Sequence, residues 1–488
     1  MSKLAPAFLP FLLAFLLILQ SFNIAAAQSV EAEITVDPAS RTASVSGRFV
    51  ANFERKDPLS FYFLTSVPGS RAIADRISDL KLTKNDGSTV GYRKLGPGEF
   101  LAEEKYDTWS YTVAASGSNT TTASAHASWI ADDKAVIMLD DLLPKFAGVA
   151  RTSGSVTIKI PAGWQIETTG THQTDGSFLV TDVDRSVFLL GRNLTISTST
   201  SGPKIVLAGK FLFTEAEAAA MSAEIFAEYQ KLLGERAEAA EILIIRYPDG
   251  VQPGAWQAET RGNTLTIVSS DMNFRTQSLQ RLHEQLRHEI FHLWLPNGVD
   301  LTGNYDWFYE GFALYESLKL AVALNRIRFD DFLDTLSRAY SIDAHQTHRR
   351  SLVDASRDRF TGNDTQVYAR GMLVAFLADV SILDASRGRR SVSDLLRKIV
   401  SEHARPHPPA DALTTVLAAM RSEGVAPDII AKYVQGTEDF DLSALRAATA
   451  IELTAERNSF AVNAKRSSRQ KVLLDKLGYN NWRKLSSQ

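Results

Sequence analysis

The sequence predicts a multidomain α+β protein, in which an all-β amino-terminal domain precedes an α/β domain with a mainly helical carboxyl-terminal lobe. Three observations predict this class. Short β-rich segments dominate up to about residue 200, strand and helix patterns alternate in the next part, and helical patterns dominate from Trp307 onward. With 488 residues the chain is long enough for two or three domains.

The bulk composition is that of an ordinary globular protein. Hydrophobic residues make up 44% of the chain and charged residues 22%, so disorder is excluded as the main state. The formal net charge is −3, and we therefore expect no nucleic-acid partner. The chain contains no cysteine, so a zinc site has to be built from histidine and carboxylate ligands.

Residues 1–27 have the pattern of a secretory signal peptide. Lys3 precedes an apolar run over residues 4–19, and three alanines at 25–27 form a small-residue cleavage site. We therefore expect export across the inner membrane, and the Ala-rich composition favours a bacterial periplasm. With the signal cleaved, we expect no stable insertion of the mature protein into a membrane. The alternative is an uncleaved signal anchor that tethers the protein to the membrane.

Residues 28–202 are predicted to form the all-β amino-terminal domain. Segments such as 155–160 and 177–180 alternate or carry β-branched residues and are separated by clusters of Gly, Pro, Asn and Asp. Their spacing is typical of a sandwich or saddle of sheets. No catalytic cluster is found in this region, which we expect to pack against the next domain and to form one wall of a cleft.

Residues 203–453 are predicted to form the catalytic domain, and the basic, polar residues 454–488 a tail without an assigned role. The first part of this domain alternates strands with helices, and the rest is helical. The predicted strands are 204–213, 241–246 and 263–269, and the predicted helices are 214–233, 277–294, 310–327, 329–340, 368–383, 392–402, 409–422 and 426–433.

The segment HEIFH at residues 288–292 carries the strongest chemical signal. Residues four apart lie on one face of a helix, so His288 and His292 can reach the same point. Zinc accepts imidazole nitrogen and keeps an open position in catalytic sites, and Glu289 can act there as a general base toward water. The alternative is a helix with surface His and Glu residues. The apolar neighbours indicate burial instead, and buried His and Glu side chains without partners are costly.

A third ligand is predicted in the segment WFYEGFA at residues 307–313. Glu310 is a lone acid among apolar groups, which is unfavourable unless it is paired or bound to metal. The alternative is an exposed glutamate at the start of a helix. The sequence thus predicts one zinc ion per chain, bound by His288, His292 and Glu310. Asp306 can either cap the following helix or orient a ligand.

HEIFH followed by WFYEGFA resembles the gluzincin metallopeptidases, and is similar to their aminopeptidase N-like and glycyl aminopeptidase-like families. The resemblance implies a thermolysin-like fold for the catalytic domain, the zinc ligands given above, and Glu289 as the base. In those families a tyrosine in a Y-x-K-G motif stabilises the oxyanion. Here the motif is YARG, so Tyr368 takes that role and Arg370 replaces the lysine. The alternative for Tyr368 is a packed surface tyrosine at a helix start.

The same families have an edge strand before the zinc helix, and a glutamate on it binds the free amino group of the substrate. The matching stretch is 254–263, and Glu259 lies where that glutamate would be. The resemblance therefore implies an aminopeptidase that acts on small peptides. Three alternatives stay open: Glu259 is an exposed strand residue, the protein is a zinc endopeptidase, or it is a non-catalytic peptide-binding descendant. The oligomeric state is left open.

Overall fold

The computed structural model describes residues 28–51, 60–116, 123–146, 151–198, 202–236, 238–247, 250–454 and 459–481. The predicted signal peptide, residues 1–27, lies outside the described residues. The structure confirms the predicted α+β class: strands dominate the amino-terminal part, and a mixed layer followed by a helical lobe forms the rest.

The amino-terminal domain is built around a large twisted sheet. Its central strand β1 (Gln28–Asp37) pairs antiparallel with β2 (Thr42–Ala51) and parallel with β12 (Arg151–Lys159). Val30 and Ile34 of β1 are fully buried, because alternate residues of a strand face opposite sides of the sheet. In sheet order the described strands are β14 (Thr171–His172), β15 (Phe178–Val180), β12, β1, β2, β8 (Thr108–Ala114), β4 (Ile77–Thr83) and β5 (Thr89–Val90).

Two smaller sheets complete this domain. The sheet that concerns the site has, in order, β13 (Gln165–Thr168), β16 (Val187–Gly191), β10 (Lys134–Met138) and β9 (Trp129–Ile130). The other has β11 (Lys145–Phe146), β3 (Ser60–Tyr62), β7 (Glu99–Ala102) and β6 (Tyr92–Gly96). A short helix α1 (Leu139–Leu142) follows β10, and 3₁₀ turns lie at Ile73–Arg76 and Val183–Arg185.

The domain predicted to be catalytic is built on a further, mixed sheet, which we call the catalytic sheet. Its parallel strands β18 (Lys204–Ala208), β19 (Glu241–Arg246) and β21 (Thr264–Ser269) are flanked by β17 (Thr195–Ser197) and by the antiparallel edge strand β20 (Trp256–Arg261). The strand expected at 204–213 ends at Ala208, because Gly209 turns the chain with a φ of +113°.

The two domains share a continuous apolar interface. Val136 of β10 and Leu189 of β16 face Leu243 and Ile245 of β19 in one buried cluster. The alternate residues of β19, such as Ile244, face the helices on the other side. The catalytic sheet is therefore buried on both faces, as its nearly uniform apolar strands require. The expectation that the β domain packs against the next domain agrees with this arrangement.

Helices cover the second face of the catalytic sheet and form the carboxyl-terminal lobe. They are α2 (Glu215–Leu233), α3 (Arg275–Phe291), α4 (Asp306–Ala323), α5 (Phe329–Ala344), α6 (Leu352–Arg357), α7 (Asp364–Ala385), α8 (Val392–His403), α9 (Ala412–Glu423), α10 (Ser443–Thr449) and α11 (Ser468–Lys476). A π-helical turn lies at Ile429–Val434 and a 3₁₀ turn at Arg359–Thr361. The short strands β22 (Leu301–Thr302) and β23 (Ala410–Asp411) pair with each other, as do β24 (Ile451–Thr454) and β25 (Ser459–Val462).

Two helix boundaries differ from the prediction in ways that matter for the site. Helix α3 ends at Phe291 rather than at residue 294, and α4 begins at Asp306 rather than at Glu310. Glu310 is therefore in the second turn of α4 and buried. Near the carboxyl terminus, Phe460 and Leu474 are buried in the main core, so part of residues 454–488 packs on the helical lobe.

Helix α7 is the apolar centre of the helical lobe. By length and hydropathy it is the one helix among the described residues that could span a membrane, and 89% of its most apolar window is buried inside the protein. Its apolarity is accounted for by packing on every side, against α4, α5 and the segments that follow it.

Helices α4 and α7 touch backbone to backbone at a pair of glycines. A Cβ atom on Gly311 would lie 2.3 Å from the carbonyl carbon of Gly371, and one on Gly371 would lie 2.6 Å from the carbonyl oxygen of Trp307. Gly311 follows Glu310 directly, and Gly371 lies one turn after Tyr368. The glycine contact therefore sets how closely these two candidate site residues approach each other.

We predict that Gly311→Ala destabilises the protein, although alanine favours a helix by about 1 kcal/mol over glycine. The added methyl group meets backbone atoms that cannot rotate away, and such overpacking costs about 1–3 kcal/mol or more. The unfolding midpoint in urea measures the effect. Gly96→Ala is the matched control, since the nearest atom to its Cβ is a flexible carboxylate oxygen of Glu99 at 3.9 Å. Equal midpoints for the two variants would contradict a tight helix contact.

Candidate metal centre

The structure brings His288, His292 and Glu310 together in one cluster. The two Nε2 atoms lie 3.1 Å apart, and Oε2 of Glu310 lies 3.3 Å from the Nε2 of His288 and 3.4 Å from that of His292. Within the part of the chain that the structure describes, this is the one group of three or more His, Cys, Asp or Glu side chains whose ligand atoms lie close enough to bind a single metal ion.

The chain turn after α3 sets the orientation of His292. Its Nδ1 donates a hydrogen bond to the carbonyl oxygen of Leu295 at 2.8 Å, which leaves the lone pair of Nε2 directed at the cluster. The side-chain amide of Asn297 donates to the carbonyl oxygens of His292 (3.1 Å) and of Thr260 on β20 (2.9 Å). The turn is thereby tied to the edge strand, so the end of α3 and the strand keep a fixed separation.

The residues of this cluster fit a zinc ion. Oε2 of Glu310 is buried and receives no well-directed hydrogen bond, and Nδ1 of His288 is likewise buried without a partner. Leaving such groups unsatisfied is costly, and a cation at the centre would satisfy the carboxylate oxygen. Two imidazole nitrogens and one carboxylate oxygen are a ligand set of catalytic zinc sites.

The electrostatics of the cluster favour an ionised Glu310. Burial alone would raise the pKa of Glu310, but the charges of Arg359 and His292 outweigh it and hold this pKa well below its ordinary value. Burial would likewise lower the pKa of His292, yet Glu310 and Glu289 raise it above its ordinary value. Glu310 is therefore present as a carboxylate, the form that can bind a cation.

Glu289 lies beside the cluster and faces the edge strand. Its Oε2 accepts a hydrogen bond from the hydroxyl of Thr260 at 2.8 Å, and the same hydroxyl lies 2.9 Å from the carbonyl oxygen of Glu289. The carboxylate is buried and, among the described residues, accepts a hydrogen bond from this hydroxyl alone, so it keeps lone pairs for another donor. A carboxylate in this position can accept a proton from water at the centre.

Tyr368 approaches the cluster through Arg359. The guanidinium of Arg359 donates from Nη2 to the Tyr368 hydroxyl, and its Nη1 lies 2.9 Å from Oε1 of Glu310. Burial and the charge of Glu310 raise the pKa of Tyr368 well above its ordinary value, and Arg359 only partly offsets this. The phenol therefore stays protonated near neutral pH and can donate a hydrogen bond.

Arg370, the arginine of the YARG motif, does not take part in the cluster. It is completely buried, and its Nη1 lies 2.9 Å from a carboxylate oxygen of Asp343. Its other nitrogens donate to the carbonyl oxygens of Tyr433 and Glu438. Arg370 thus joins α7 to α5, to the π-helical turn and to the segment after it.

Glu259 lies on β20 next to Thr260, but its side chain contacts the amino-terminal domain. Its Oε2 accepts hydrogen bonds from Nδ1 of His126 at 2.7 Å and from Nη2 of Arg261 at 3.0 Å. Burial would raise the pKa of Glu259, but Arg261 and His126 lower it to about 2. Glu259 is therefore ionised, and no contact in the described part of the chain joins it to the His–His–Glu cluster.

Three residues with a part in the site were missed by sequence analysis: Arg359, Thr260 and His126. Arg359 lies in a 3₁₀ turn with no motif, and His126 lies in a loop of the other domain. Of the three, only Thr260 could have been predicted from the sequence. Once Glu259 is placed on an edge strand, period-two alternation puts its neighbour on the opposite face, toward the zinc helix. Asp306 contacts Arg359 at 3.1 Å and does not cap α4.

A family model of a peptidase domain matches the amino-terminal part of the chain. Residues 26–187 match the family model of the peptidase M61 N-terminal domain. No curated protein sequence matches. The match lies in the β domain, in which the sequence shows no catalytic cluster.

Solved structures share the fold over most of the chain. An aminopeptidase N family protein from Idiomarina loihiensis is 17% identical with a TM-score of 0.71, covering 90% of this chain and 82% of that one. An M1 zinc metallopeptidase from Deinococcus radiodurans is 16% identical with a TM-score of 0.55, covering 86% and 95%. Yeast LTA4 hydrolase is 14% identical with a TM-score of 0.54, covering 86% and 69%. The fold and the matched domain together confirm the resemblance to the gluzincin metallopeptidases, with an amino-terminal domain of the peptidase M61 type and the multidomain architecture of the M1-like peptidases.

Proposed function

We propose that this chain is an exported, zinc-dependent peptidase that removes amino-terminal residues from small peptides. The observation that carries the zinc peptidase part is the convergence of His288, His292 and Glu310 at one point, with the carboxylate of Glu289 beside them. The peptidase M61 domain match and the metallopeptidase folds of its structural neighbours support the same assignment.

The residues around the centre have complementary tasks in amide hydrolysis. His288, His292 and Glu310 would hold one zinc ion, which when bound supplies Lewis acidity toward a carbonyl oxygen and toward water. Glu289 accepts the proton that the attacking water loses and returns it to the leaving amine. Tyr368 donates a hydrogen bond to the oxygen that gains negative charge as the carbonyl carbon becomes tetrahedral.

A peptide substrate suits the edge strand beside the centre. Strand β20 pairs with β21 on one side, and no described strand pairs with its other edge. An extended peptide can add to such an edge through backbone hydrogen bonds. Because Thr260 of this strand contacts Glu289, a peptide bound along it would lie close to the base.

The aminopeptidase part of the proposal depends on Glu259. An ionised carboxylate beside the cleft can pair with the α-ammonium group of a substrate. However, both donors to Glu259 are cationic or can become so, and Arg261 also lies 3.5 Å from Asp140. Because Glu259 is already paired with Arg261 and His126, it attracts the ammonium group of a substrate less strongly. This observation favours the second candidate function, a zinc endopeptidase on the same scaffold.

Export to the periplasm follows from the sequence pattern of residues 1–27 and stays a proposal. Edman sequencing of the protein recovered from a periplasmic extract should begin at Gln28, since the small residues at 25–27 suit signal peptidase. Recovery only in the membrane fraction with Met1 retained would instead support the uncleaved anchor.

We predict that Glu289→Gln lowers the rate of peptide hydrolysis by about a hundredfold to ten-thousandfold, because an amide cannot accept the proton from water. The measurement is the hydrolysis of aminoacyl and amino-blocked peptide substrates by the zinc-loaded protein. Glu284→Gln, on the exposed face of the same helix, is the matched control and should retain the rate of the wild type. Hydrolysis of free-amino substrates alone supports the aminopeptidase, and hydrolysis of blocked substrates supports the endopeptidase. Equal rates for Glu289→Gln and wild type would leave the non-catalytic peptide-binding alternative.

We also predict that Glu259 stabilises the folded protein in a pH-dependent way. Its pKa falls from an ordinary 4.5 to about 2 on folding. Its contribution of about 1–3 kcal/mol is therefore complete above pH 4.5 and is lost as the pH falls from about 4.5 to about 2. The measurement is the free energy of unfolding in urea of wild type and of Glu259→Gln at two pH values. The amount by which wild type exceeds the variant should be about 1 kcal/mol smaller at pH 3.5 than at pH 7.

Glu33→Gln provides the control for this comparison. Glu33 forms an exposed ion pair with Lys159, and such pairs contribute about 0–1 kcal/mol. A difference between wild type and Glu259→Gln that grows toward low pH would show that the contacts of Glu259 with His126 and Arg261 do not stabilise the fold.

A further inference from the structure

The guanidinium of Arg359 connects two residues that have different tasks in the proposed mechanism. Nη1 lies 2.9 Å from Oε1 of Glu310, the third candidate ligand, and Nη2 donates to the hydroxyl of Tyr368, the candidate oxyanion donor. The motif arginine Arg370 cannot do this, since its nitrogens bind Asp343 and backbone carbonyls elsewhere. The cation next to Tyr368 is thus supplied from a 3₁₀ turn and not from the YARG motif.

The chemistry of the guanidinium fixes the direction of the phenol proton. An arginine has only N–H donors, so in its contact with Arg359 the oxygen of Tyr368 has to be the acceptor. The hydroxyl proton of Tyr368 must then point away from Arg359, where it is free to be donated to another oxygen. The same contact polarises the phenol, because a cation next to its oxygen makes the O–H a stronger donor.

The contact with Glu310 has a parallel consequence for the metal ligand. Arg359 occupies Oε1, and this leaves Oε2 as the oxygen that faces the Nε2 atoms of His288 and His292. Partners that hydrogen-bond a ligand in this way orient it toward the metal. A single side chain therefore sets the orientation of Glu310 and of Tyr368 together.

Arg359 itself is held in place by two further carboxylates. Asp306 at the start of α4 lies 3.1 Å from Nη1, and Asp364 at the start of α7 lies 3.2 Å from Nε. The side chain of Arg359 is only 12% exposed. A planar guanidinium fixed by α4 on one side and α7 on the other has little freedom to rotate.

We propose that Arg359 is a positioning residue that orients Glu310 toward the metal and presents the hydroxyl of Tyr368 to the reacting carbonyl. The inference rests on the proposed zinc peptidase function and extends it to a residue outside the motifs. The competing explanation is that Arg359 only joins α4 to α7 and acts on stability alone.

A double-mutant cycle separates these explanations. Arg359→Gln should lower kcat about tenfold to a hundredfold with KM changed less than about twofold, as expected for a contact that matters mainly in the transition state. In the Tyr368→Phe background, which lacks the hydroxyl, the same substitution should lower kcat by a smaller factor, because only the part that acts through Glu310 remains. Arg357→Gln, two residues away in an exposed ion pair with Asp354, is the matched control and should retain kcat. Full additivity of the two substitutions would overturn the proposal.

Zinc affinity provides a second readout that needs no catalysis. In competition with a chelator, Arg359→Gln should raise the Kd for zinc about tenfold to a hundredfold, the usual effect of removing the partner of a ligand, and Arg357→Gln should not. An unchanged Kd would overturn the proposal. If the wild type binds zinc but hydrolyses no peptide, the proposed function fails, and the zinc titration still decides whether Arg359 positions Glu310.

Discussion

The placement of a buried imidazole, a partly buried imidazole and a buried carboxylate within 3.4 Å of one another is the constraint on which the rest of this structure depends. Polar groups of this kind are costly in a protein interior unless each has a partner. The surrounding structure supplies these partners: a carbonyl oxygen to His292 and a guanidinium to Glu310. The remaining buried lone pairs converge on one point, so a cation there completes an arrangement that would otherwise be unfavourable.

Rigid packing around this point explains how the partners stay in position. Helix α3, which leads into the two histidines of the cluster, lies between the catalytic sheet and α4, and the sheet is covered on its other face by the amino-terminal domain. Helix α4 in turn contacts α7 at Gly311 and Gly371, without an intervening side chain. Glu289, Glu310, Tyr368 and Thr260 are thereby held on helices and a strand, while Arg359 lies in a 3₁₀ turn. The β domain contributes by burying one face of the sheet.

The parts of the site that depend on local spacing can be predicted from the sequence. His288 and His292 are one helical turn apart, and Glu310 is a lone acid among aromatic residues. The change of hydrophobic period along the chain predicts the fold class. What could not be predicted depends on contacts between distant segments. The parallel pairing of β1 with β12, the Gly311–Gly371 contact and the turn that carries Arg359 leave no periodic signal.

Glu259 illustrates why a motif position alone does not determine substrate choice. Its placement on the edge strand agrees with the family pattern, but His126 of the amino-terminal domain and Arg261 already share its Oε2. A carboxylate that two donors neutralise attracts an α-ammonium group less than an unpaired one. The amino-terminal domain thus sets the charge at this position, because it contributes His126 directly and Asp140 through Arg261. In the proposed aminopeptidase, specificity for a free amino terminus would therefore depend on the interface between the two domains, while the proposed hydrolysis would depend on the residues of the His–His–Glu cluster.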